Sequence, residues 1–343
     1  MKRTFSLARS LPIFLCLFVV SLSLFPQGCS RENSDRKPSK SSSGKSETNT
    51  SADTGPLPLS GKALWVVNKS IVSSRLFRID PNSLNVTGSI EIPGALRGIA
   101  VGEGAVWITD FAYDKLFRIN PASLKIESSI PLDKAPTAVA VDFGSVWVIS
   151  STQGILNRID PKTNTVVSKI SITDSLLTDV AVGGGSLWVP SVDMQVTRVD
   201  PQSGALVAEV RLLGNPTATL WADGALWVSN PAFKQVIKID PTNNMAHTPF
   251  EMEKPVRSMA FGKGGLWITR RNDGELARLD TRTGEIAALY EVASELNALC
   301  FAEQTLWISS SAEDTVFAFD PGSGEILGSV FVEGGPGAMA YGP

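Results

Sequence analysis

The chain has 343 residues, of which 43% are hydrophobic, 8% aromatic and 19% charged, and its formal net charge at pH 7 is −3. Its 29 Gly and 21 Pro indicate a turn-rich fold, but they are too few for collagen or a low-complexity chain. Three cysteines exclude a disulfide-stapled scaffold. The single histidine, His247, excludes multi-histidine zinc sites and the H-E-x-x-H motif.

The first 28 residues have the pattern of a signal peptide. Lys2, Arg3 and Arg9 precede an apolar run from Leu11 to Phe25. This run is short for a membrane span and typical of a signal-peptide core. We therefore assign residues 1–28 to a signal peptide and expect an extracytoplasmic protein.

The apolar run ends at Pro26-Gln27-Gly28-Cys29, which resembles the bacterial lipoprotein box. In that family a small residue precedes the cysteine, and the cysteine is lipidated and becomes the mature N-terminus. The resemblance implies lipidation at Cys29, with Pro26 standing where the family prefers Leu. Secretion without an anchor is the alternative, and no A-x-A cleavage site supports it.

Residues 29–60 are rich in Ser, Lys, Asp, Glu, Asn and Thr and hold almost nothing that could be buried. Such a segment cannot offset the entropy that it would lose on ordering. We predict a disordered tether that links the lipidated Cys29 to a folded domain. The protein would then belong to the bacterial cell envelope, facing the periplasm or the cell exterior, with the membrane as a partner through the lipid anchor.

Residues 61–343 contain one unit repeated seven times. A tryptophan recurs every 39 to 42 residues, and an Asp or Asn recurs every 40 residues, followed by Pro in six copies of seven. A basic residue precedes the Asp or Asn by two positions in six copies, and Ala318 replaces it in the last copy. The repeated tryptophans are Trp65, Trp107, Trp147, Trp188, Trp227, Trp267 and Trp307. The repeated turn residues are Asp80, Asn120, Asp160, Asp200, Asp240, Asp280 and Asp320.

Each copy divides into four short apolar runs separated by turn signals, and no stretch shows helical periodicity over ten residues. Four antiparallel strands per 40 residues are typical of one propeller blade. We predict an all-β, seven-bladed β-propeller over residues 61–343. The first copy lacks a first strand, and residues 337–341 match a first strand at the end of the chain. We therefore expect the C-terminal strand to join blade 1 and close the ring.

The pattern G-x-[VL]-W-[VI] followed by [RK]-[IVL]-D-P, at 40-residue spacing, resembles the repeats of bacterial YVTN-type and virginiamycin B lyase-like β-propellers. The resemblance covers residues 61–343. It implies the fold, but such propellers host lyases, binding proteins and scaffolds alike.

The lyase likeness would require a catalytic His and Glu near the channel mouth, with a divalent metal. His247 falls on an outer strand, and Asp110 stands where the lyase repeats tend to have Glu. We therefore predict no catalytic residue, no metal site and no cofactor. A mechanism that uses only carboxylates, around Asp110 and Asp179, stays open.

The recurrent residues have structural explanations. Asp before Pro is typical of a turn, and a Gly or Asn four residues later supplies the positive φ that the turn requires. Pieces such as Gly102-Glu103-Gly104 are not followed by a helix, so we interpret them as hairpin turns rather than phosphate loops. We expect the repeated tryptophans, and Cys300 in an apolar run, to be buried.

Binding residues are expected where the repeat keeps a position but varies its side chain, because loops on a rigid scaffold carry sites. Ten residues before each Trp the chain enters the inner strand, and three residues after it the chain leaves the second strand, at the same face. We expect both positions to form polar rings at the channel mouth. The candidate binding residues are Asn68, Arg97, Asp110, Asp179, Thr217, Asn230, Arg257, Arg270 and Asn297.

Basic residues among these positions predict a site for a carboxylate or phosphate. Arg97, Arg257, Arg270 and Arg271 fall in blades 2 and 6, with Lys69 and two asparagines between them. The propeller region otherwise holds 23 of the 31 basic and 30 of the 34 acidic residues, a net charge of −7. A local basic arc on an acidic domain would attract a small anion. A solvated polar rim without a ligand is the alternative.

Three functions remain open. The first is a non-catalytic binding or interaction module with an unknown protein or small anionic ligand at the channel mouth. The second is a metal-dependent lyase or hydrolase, and the third is a protein-docking subunit of an envelope complex, for which Phe111, Tyr113 and Phe233 could supply contacts. Nucleic acid is excluded as a partner because the domain is acidic, and we expect a monomer.

Overall fold

The computed structural model describes residues 61–69, 74–270 and 274–343. The predicted signal peptide, the predicted tether with Cys29, and Arg271 lie outside these ranges. Within them the chain forms 29 β-strands and one single-turn 3₁₀ helix, Ser151–Gln153. No helix in this part of the chain has the length and apolar character needed to cross a membrane.

The strands form seven sheets, as predicted. Blade 1 holds β1 (Ala63–Asn68), β2 (Ser74–Asp80) and β3 (Asn85–Ile92). Blade 2 holds β4 (Leu96–Gly102), β5 (Ala105–Asp110), β6 (Lys115–Ile119) and β7 (Ile126–Pro131). Blade 3 holds β8 (Pro136–Asp142), β9 (Ser145–Ser150), β10 (Ile155–Asp160) and β11 (Thr165–Ser171). Blade 4 holds β12 (Ala181–Gly183), β13 (Ser186–Ser191), β14 (Gln195–Val199) and β15 (Leu206–Arg211).

The remaining blades repeat this order. Blade 5 holds β16 (Thr219–Ala222), β17 (Ala225–Asn230), β18 (Gln235–Asp240), β19 (Met245–Ala246) and β20 (Phe250–Glu251). Blade 6 holds β21 (Val256–Gly262), β22 (Gly265–Arg270), β23 (Glu275–Leu279) and β24 (Ile286–Glu291). Blade 7 holds β25 (Leu296–Ala302), β26 (Thr305–Ser310), β27 (Thr315–Asp320) and β28 (Glu325–Phe331). The last strand is β29 (Pro336–Gly342).

The C-terminal strand closes the ring. β29 pairs antiparallel with β1, with Tyr341 opposite Leu64 and Ala340 opposite Trp65, and completes the four-stranded sheet of blade 1. This confirms the predicted closure, in which one blade is built from both ends of the propeller sequence.

The second strand of each blade forms the core. Its residues are buried on both faces, because each second strand has a strand on either side within the sheet and a neighbouring blade above and below. The repeated tryptophans are at most 1% exposed. Their predicted core role is confirmed.

The predicted turns are also confirmed. The Asp80 carboxylate accepts a hydrogen bond from the backbone N–H of Asn82 at 2.9 Å. This bond, together with those from Ser83, holds the pKa of Asp80 below its usual value. The position four residues later has positive φ in every copy. These seven residues are Leu84, Leu124, Asn164, Gly204, Asn244, Gly284 and Gly324. The Gly102–Gly104 segment forms the β4–β5 hairpin, with positive φ at Glu103 and Gly104.

The repeated basic residue has a role that the sequence reading missed. In six blades it lies over the ring of the repeated Trp on the adjacent strand, 4.9 to 5.9 Å from the ring centre. In blades 2 and 4 it also reaches the next blade. Arg118 donates to Pro161 O and Asn164 Oδ1, and Arg198 donates to Pro241 O and Asn244 Oδ1. These contacts join successive blades through their turns.

Blade 5 has the least regular outer edge. Its fourth strand is split into β19 and β20, with Pro249, which cannot donate a backbone hydrogen bond, in the interruption. His247 lies in the same interruption and is exposed, and its backbone N–H donates to Lys238 O at 2.8 Å. The single histidine is therefore on the outer edge, as expected.

Candidate functional site

The two predicted polar positions meet at one end of the blades, where inner strands begin and second strands end. Leu96, next to Arg97, pairs with Asp110, and Val256, next to Arg257, pairs with Arg270. We call this end of the ring the mouth face. The prediction that both positions lie at the same face is confirmed.

The residues that follow each Trp by three positions do not form an exposed ring, and that expectation was wrong. All seven are at most 6% exposed: Asn68, Asp110, Ser150, Ser191, Asn230, Arg270 and Ser310. Six of them contact the loop that leads from the outer strand of one blade to the inner strand of the next and bond polar groups there. The seventh, Ser191, bonds Asp193 and the Gln195 carbonyl in the turn that follows it. A buried loop needs such partners, so these positions stay polar.

Three of these candidates show the structural role directly. Asp110 Oδ1 accepts the N–H groups of Ala95 and Ala112, each at 3.0 Å. Asn68 donates to Glu333 O at 3.0 Å, and Asn230 donates to Leu213 O. Asp110 is fully buried, so its carboxylate cannot contact a substrate. This argues against a reaction that uses the carboxylates of Asp110 and Asp179 together.

Arg270 does not join the basic arc. Its guanidinium is 3% exposed and forms ion pairs with Glu253 at 3.0 Å and Glu275 at 3.2 Å. These carboxylates neutralise the charge that the sequence suggested was available to a ligand. Arg270 instead ties β22 to β23 and to the loop that enters blade 6.

Asp179 lies just before the inner strand β12 and connects blade 4 to blade 5. Its carboxylate accepts the Thr219 N–H at 2.8 Å and the Thr219 hydroxyl at 3.0 Å, as well as the N–H of Val180 at 2.8 Å. Burial raises the pKa of Asp179 to about 6, although these hydrogen bonds favour the charged form. The contacts make Asp179 a connection between two inner strands, outside the cavities described next.

The positions ten residues before each Trp do include a cluster of cations. A cavity of about 220 Å³ opens at the mouth face, where the inner strands of blades 6, 7, 1 and 2 meet. It is lined by Val67, Asn68, Lys69, Leu96, Arg97, Arg257, Asn297, Ala298, Gly337 and Ala338. Four of the nine predicted residues, namely Asn68, Arg97, Arg257 and Asn297, therefore share one cavity. We call it the anion cavity.

Lys69 completes the cluster. Its ammonium donates to Asn297 Oδ1, and Asn297 Nδ2 donates to Pro336 O at 3.2 Å, which fixes the amide orientation. Burial, and then the charges of Arg257 and Arg97, lower the pKa of Lys69 to about 8, and Glu295 opposes them in part. Lys69 is thus repelled by both guanidinium groups in a partly desolvated space. An anion bound there would relieve this repulsion.

Two neighbours of the anion cavity extend the site. The Arg97 guanidinium lies 5.5 Å from the centre of the Phe111 ring, which limits where the side chain can point. On the other side, Arg257 also lines a second cavity of about 270 Å³ with Thr217, Pro231 and Val256. We call this second space the side cavity. It adds Thr217 to the predicted residues that lie at the site.

The sequence reading underrated Lys69 and missed the side cavity. Lys69 follows Asn68 directly, so it occupies neither of the two repeat positions expected to carry binding residues. Its equivalents are not basic in most blades, and that change of type was the signal that could have found it. No group of three His, Cys, Asp or Glu side chains able to hold a metal occurs within the described residues.

Comparisons with known proteins support the fold. Residues 152–295, less than half of the chain, match the PQQ_2 family model described as outer membrane protein assembly factor BamB. No curated protein sequence matches the chain significantly.

Three solved structures share the architecture at low identity. Apo AztD from Citrobacter koseri is 11% identical with a TM-score of 0.63, covering 82% of this chain and 97% of that one. Dihydro-heme d1 dehydrogenase NirN in complex with DHE is 16% identical with a TM-score of 0.59, covering 81% and 74%. Virginiamycin B lyase from Staphylococcus aureus is 19% identical with a TM-score of 0.61, covering 69% and 84%. The chain is therefore a β-propeller module that is similar to each of these proteins in fold.

Proposed function

We propose that the protein is an extracytoplasmic binding module, held on the bacterial envelope by a lipid on Cys29, which binds a small anion in the anion cavity without converting it. The signal-peptide pattern of residues 1–28 supports the location, as does the outer-membrane description of the matching family model. The cationic lining of the anion cavity supports the ligand class.

One observation carries the proposal: Lys69, Arg97 and Arg257 converge on one cavity in a domain whose net charge is −7. Guanidinium groups match carboxylate and phosphate in geometry and can bond them through two N–H groups. A hydrogen bond to a charged group contributes about 1.5–3 kcal/mol, so two or three such bonds are enough for a useful affinity. Arg97 and Arg257 lie on the inner strands β4 and β21, and Lys69 directly follows β1, so the propeller backbone brings the three residues together.

The chemistry of the lining favours binding over conversion. The residues that line the anion cavity offer cations, amides and aliphatic side chains, and the Glu295 carboxylate acts on Lys69 from outside that lining. His247 lies on the outer edge of blade 5 rather than at the mouth face. The metal-dependent lyase alternative would need a cluster of His, Cys, Asp or Glu side chains to hold the metal, and the described residues contain none.

The test is thermal unfolding of the full-length protein against phosphate, acetate, citrate and matched neutral compounds at low ionic strength. An anion at about 100 times its dissociation constant should stabilise the fold by roughly 2.7 kcal/mol. Arg97→Gln or Arg257→Gln should abolish this shift. Arg282→Gln, an exposed change at the Asp280 turn on the opposite face, should retain it. Stabilisation that survives both cavity substitutions would refute the site.

A protein-docking subunit is the second candidate, and exposed apolar side chains on loops of the mouth face favour it. Tyr113 is 61% exposed, Phe233 52% and Leu213 75%. Cross-linking on intact cells, compared with a Tyr113→Ser, Phe233→Ser double variant, would detect such a partner. A cross-linked species that disappears in the double variant but persists in Arg97→Gln would place docking on the apolar loops.

A further inference from the structure

Arg257 stands between two cavities of different chemistry. The anion cavity on one side holds Lys69 and Arg97, and the side cavity on the other is lined by Thr217, Pro231 and Val256. Each cavity is smaller than the roughly 300 Å³ at which pockets for drug-sized ligands begin, and the two together exceed it. A guanidinium has five N–H donors in a planar fork, so it can bond groups on both of its sides.

The hydroxyl group of Thr217 has spare hydrogen-bonding capacity. Thr217 Oγ1 lies 2.9 Å from Ser229 Oγ, and either oxygen can be the donor. Ser229 Oγ already accepts the Ala218 N–H at 3.0 Å. If Thr217 donates to Ser229, the Thr217 oxygen can still accept a hydrogen bond. If Ser229 donates, Thr217 keeps its own proton to donate.

A ligand hydroxyl fits this arrangement better than a group with a single polarity. A hydroxyl can donate and accept, so it can pair with Thr217 in either state, whereas an ammonium only donates and a carbonyl only accepts. Pro231 and Val256 supply an apolar surface beside it, suited to the C–H groups of a polyhydroxylated carbon chain or ring. The side cavity therefore matches the body of a sugar rather than a second anionic group.

We infer that the ligand is a sugar acid, such as an aldonic or uronic acid, whose carboxylate binds in the anion cavity and whose hydroxyl-bearing body lies in the side cavity. Arg257 lines both cavities and would therefore contact both parts of the ligand. This inference rests on the proposed function, because it assigns the carboxylate to the cluster of Lys69, Arg97 and Arg257. It adds the class of molecule that carries the anionic group.

The test compares gluconate, hexanoate and glucose by titration calorimetry on the full-length protein. Gluconate and hexanoate share the carboxylate and the six-carbon length but differ in hydroxyl groups, and glucose lacks the charge. We expect gluconate to bind most tightly and glucose to bind far more weakly. Glucose binding as tight as gluconate binding would overturn the assignment of the carboxylate.

Substitutions at Thr217 separate the two parts of the inference. Thr217→Val should weaken gluconate about fivefold, the loss of one hydrogen bond, and leave hexanoate unchanged. Thr217→Ser should restore gluconate binding, which excludes a general loss of structure. Arg97→Gln should weaken both acids equally.

The outcomes also separate this inference from the proposed function. If Thr217→Val leaves the preference for gluconate over hexanoate unchanged, the side cavity is not part of the site and only the anion cavity stands. If neither acid binds the unaltered protein, both proposals fail.

Discussion

Lys69 of blade 1 donates a hydrogen bond from its ammonium to Oδ1 of Asn297 in blade 7. The bond crosses the junction at which β29 closes the ring, and it fixes the ammonium beside Arg97 and Arg257. Ring closure therefore assembles the anion cavity, because residues that are far apart in sequence become neighbours only when the last strand joins the first blade.

Anion binding should depend on pH through Lys69. Burial and then the charges of Arg257 and Arg97 lower its pKa to about 8, with Glu295 opposing them. Below pH 8 Lys69 is charged and attracts the anion, so affinity should be highest there and should fall as pH rises through 8. The measurement is the dissociation constant for acetate, which stays ionised throughout, from pH 6 to 10. Lys69→Gln should flatten this dependence, and an unchanged profile would exclude Lys69 from the site.

The same shift predicts that Lys69 destabilises the protein when no anion is present. The folded pKa lies below the unfolded value of 10.5, so between pH 8 and 10.5 the unfolded chain binds more protons and stability should rise with pH. Lys69→Met should therefore raise the free energy of unfolding at pH 7. The gain over the unaltered protein should shrink as pH approaches 10.5, as urea denaturation at several pH values would show. A loss of stability at pH 7 would contradict a net cost of burying this charge beside Arg257 and Arg97.

Two arginines of the mouth face should behave differently. Arg97 is exposed, so Arg97→Gln should alter stability by less than about 0.5 kcal/mol. Arg270 is buried between Glu253 and Glu275, so Arg270→Gln should cost about 3 kcal/mol. Urea unfolding measures both. Equal losses at Arg97 and Arg270 would show that burial has been assigned wrongly.

The junction of blades 7 and 1 replaces a polar contact by an apolar one. Where Arg118 and Arg198 donate to Asn164 and Asn244 of the next blade, the last repeat has Ala318 and the first has Leu84, which pack in one cluster. Ala318→Arg alone should destabilise the ring, because its guanidinium meets Leu84.

Adding Leu84→Asn should recover part of that loss, since Asn supplies the acceptor and tolerates the positive φ of position 84. A double-mutant cycle should give a coupling of about 1 kcal/mol. Additive effects would show that the two substituted side chains do not form the polar contact seen between Arg118 and Asn164.

Deleting residues 336–343 tests closure itself. These residues form β29, which supplies the inner strand of blade 1 and two residues of the anion cavity. The truncated protein should melt at a much lower temperature and lose anion stabilisation. Deleting only Pro343, which follows β29, is the matched control. A truncated protein that melts like the full chain would contradict closure.

The spacing of the repeat was enough to predict the fold. It was not enough to predict which polar side chains are buried once the ring is assembled. A tryptophan every 39 to 42 residues fixes the phase of each blade, so Arg97 and Arg257 could be placed at the mouth face from sequence. The burial of Asp110 could not be predicted from sequence, because it depends on how the loop before β4 folds over the end of β5. Polar side chains at strand ends look alike in sequence whether they serve solvent or backbone.

Some side-chain pairs could not be predicted from the sequence either. The ion pairs of Arg270 with Glu253 and Glu275 require knowledge of which side chains turn inward at the entry to blade 6. Repeated Arg over Trp was visible as a pattern, but its cause appears only in the register, where Trp107 lies opposite Arg118. Recurrence of a residue type in every repeat shows that the position matters, but it does not show which neighbouring residue the side chain contacts.

Titration calorimetry of a small carboxylate into the full-length protein at pH 7 and low salt tests the central claim most directly. The unaltered protein and Arg282→Gln should bind one anion per chain with similar affinity. The Arg97→Gln, Arg257→Gln double variant, checked to be folded by its thermal transition, should show no measurable heat of binding. Binding by the double variant equal to that of the unaltered protein would contradict the assignment of the anion cavity.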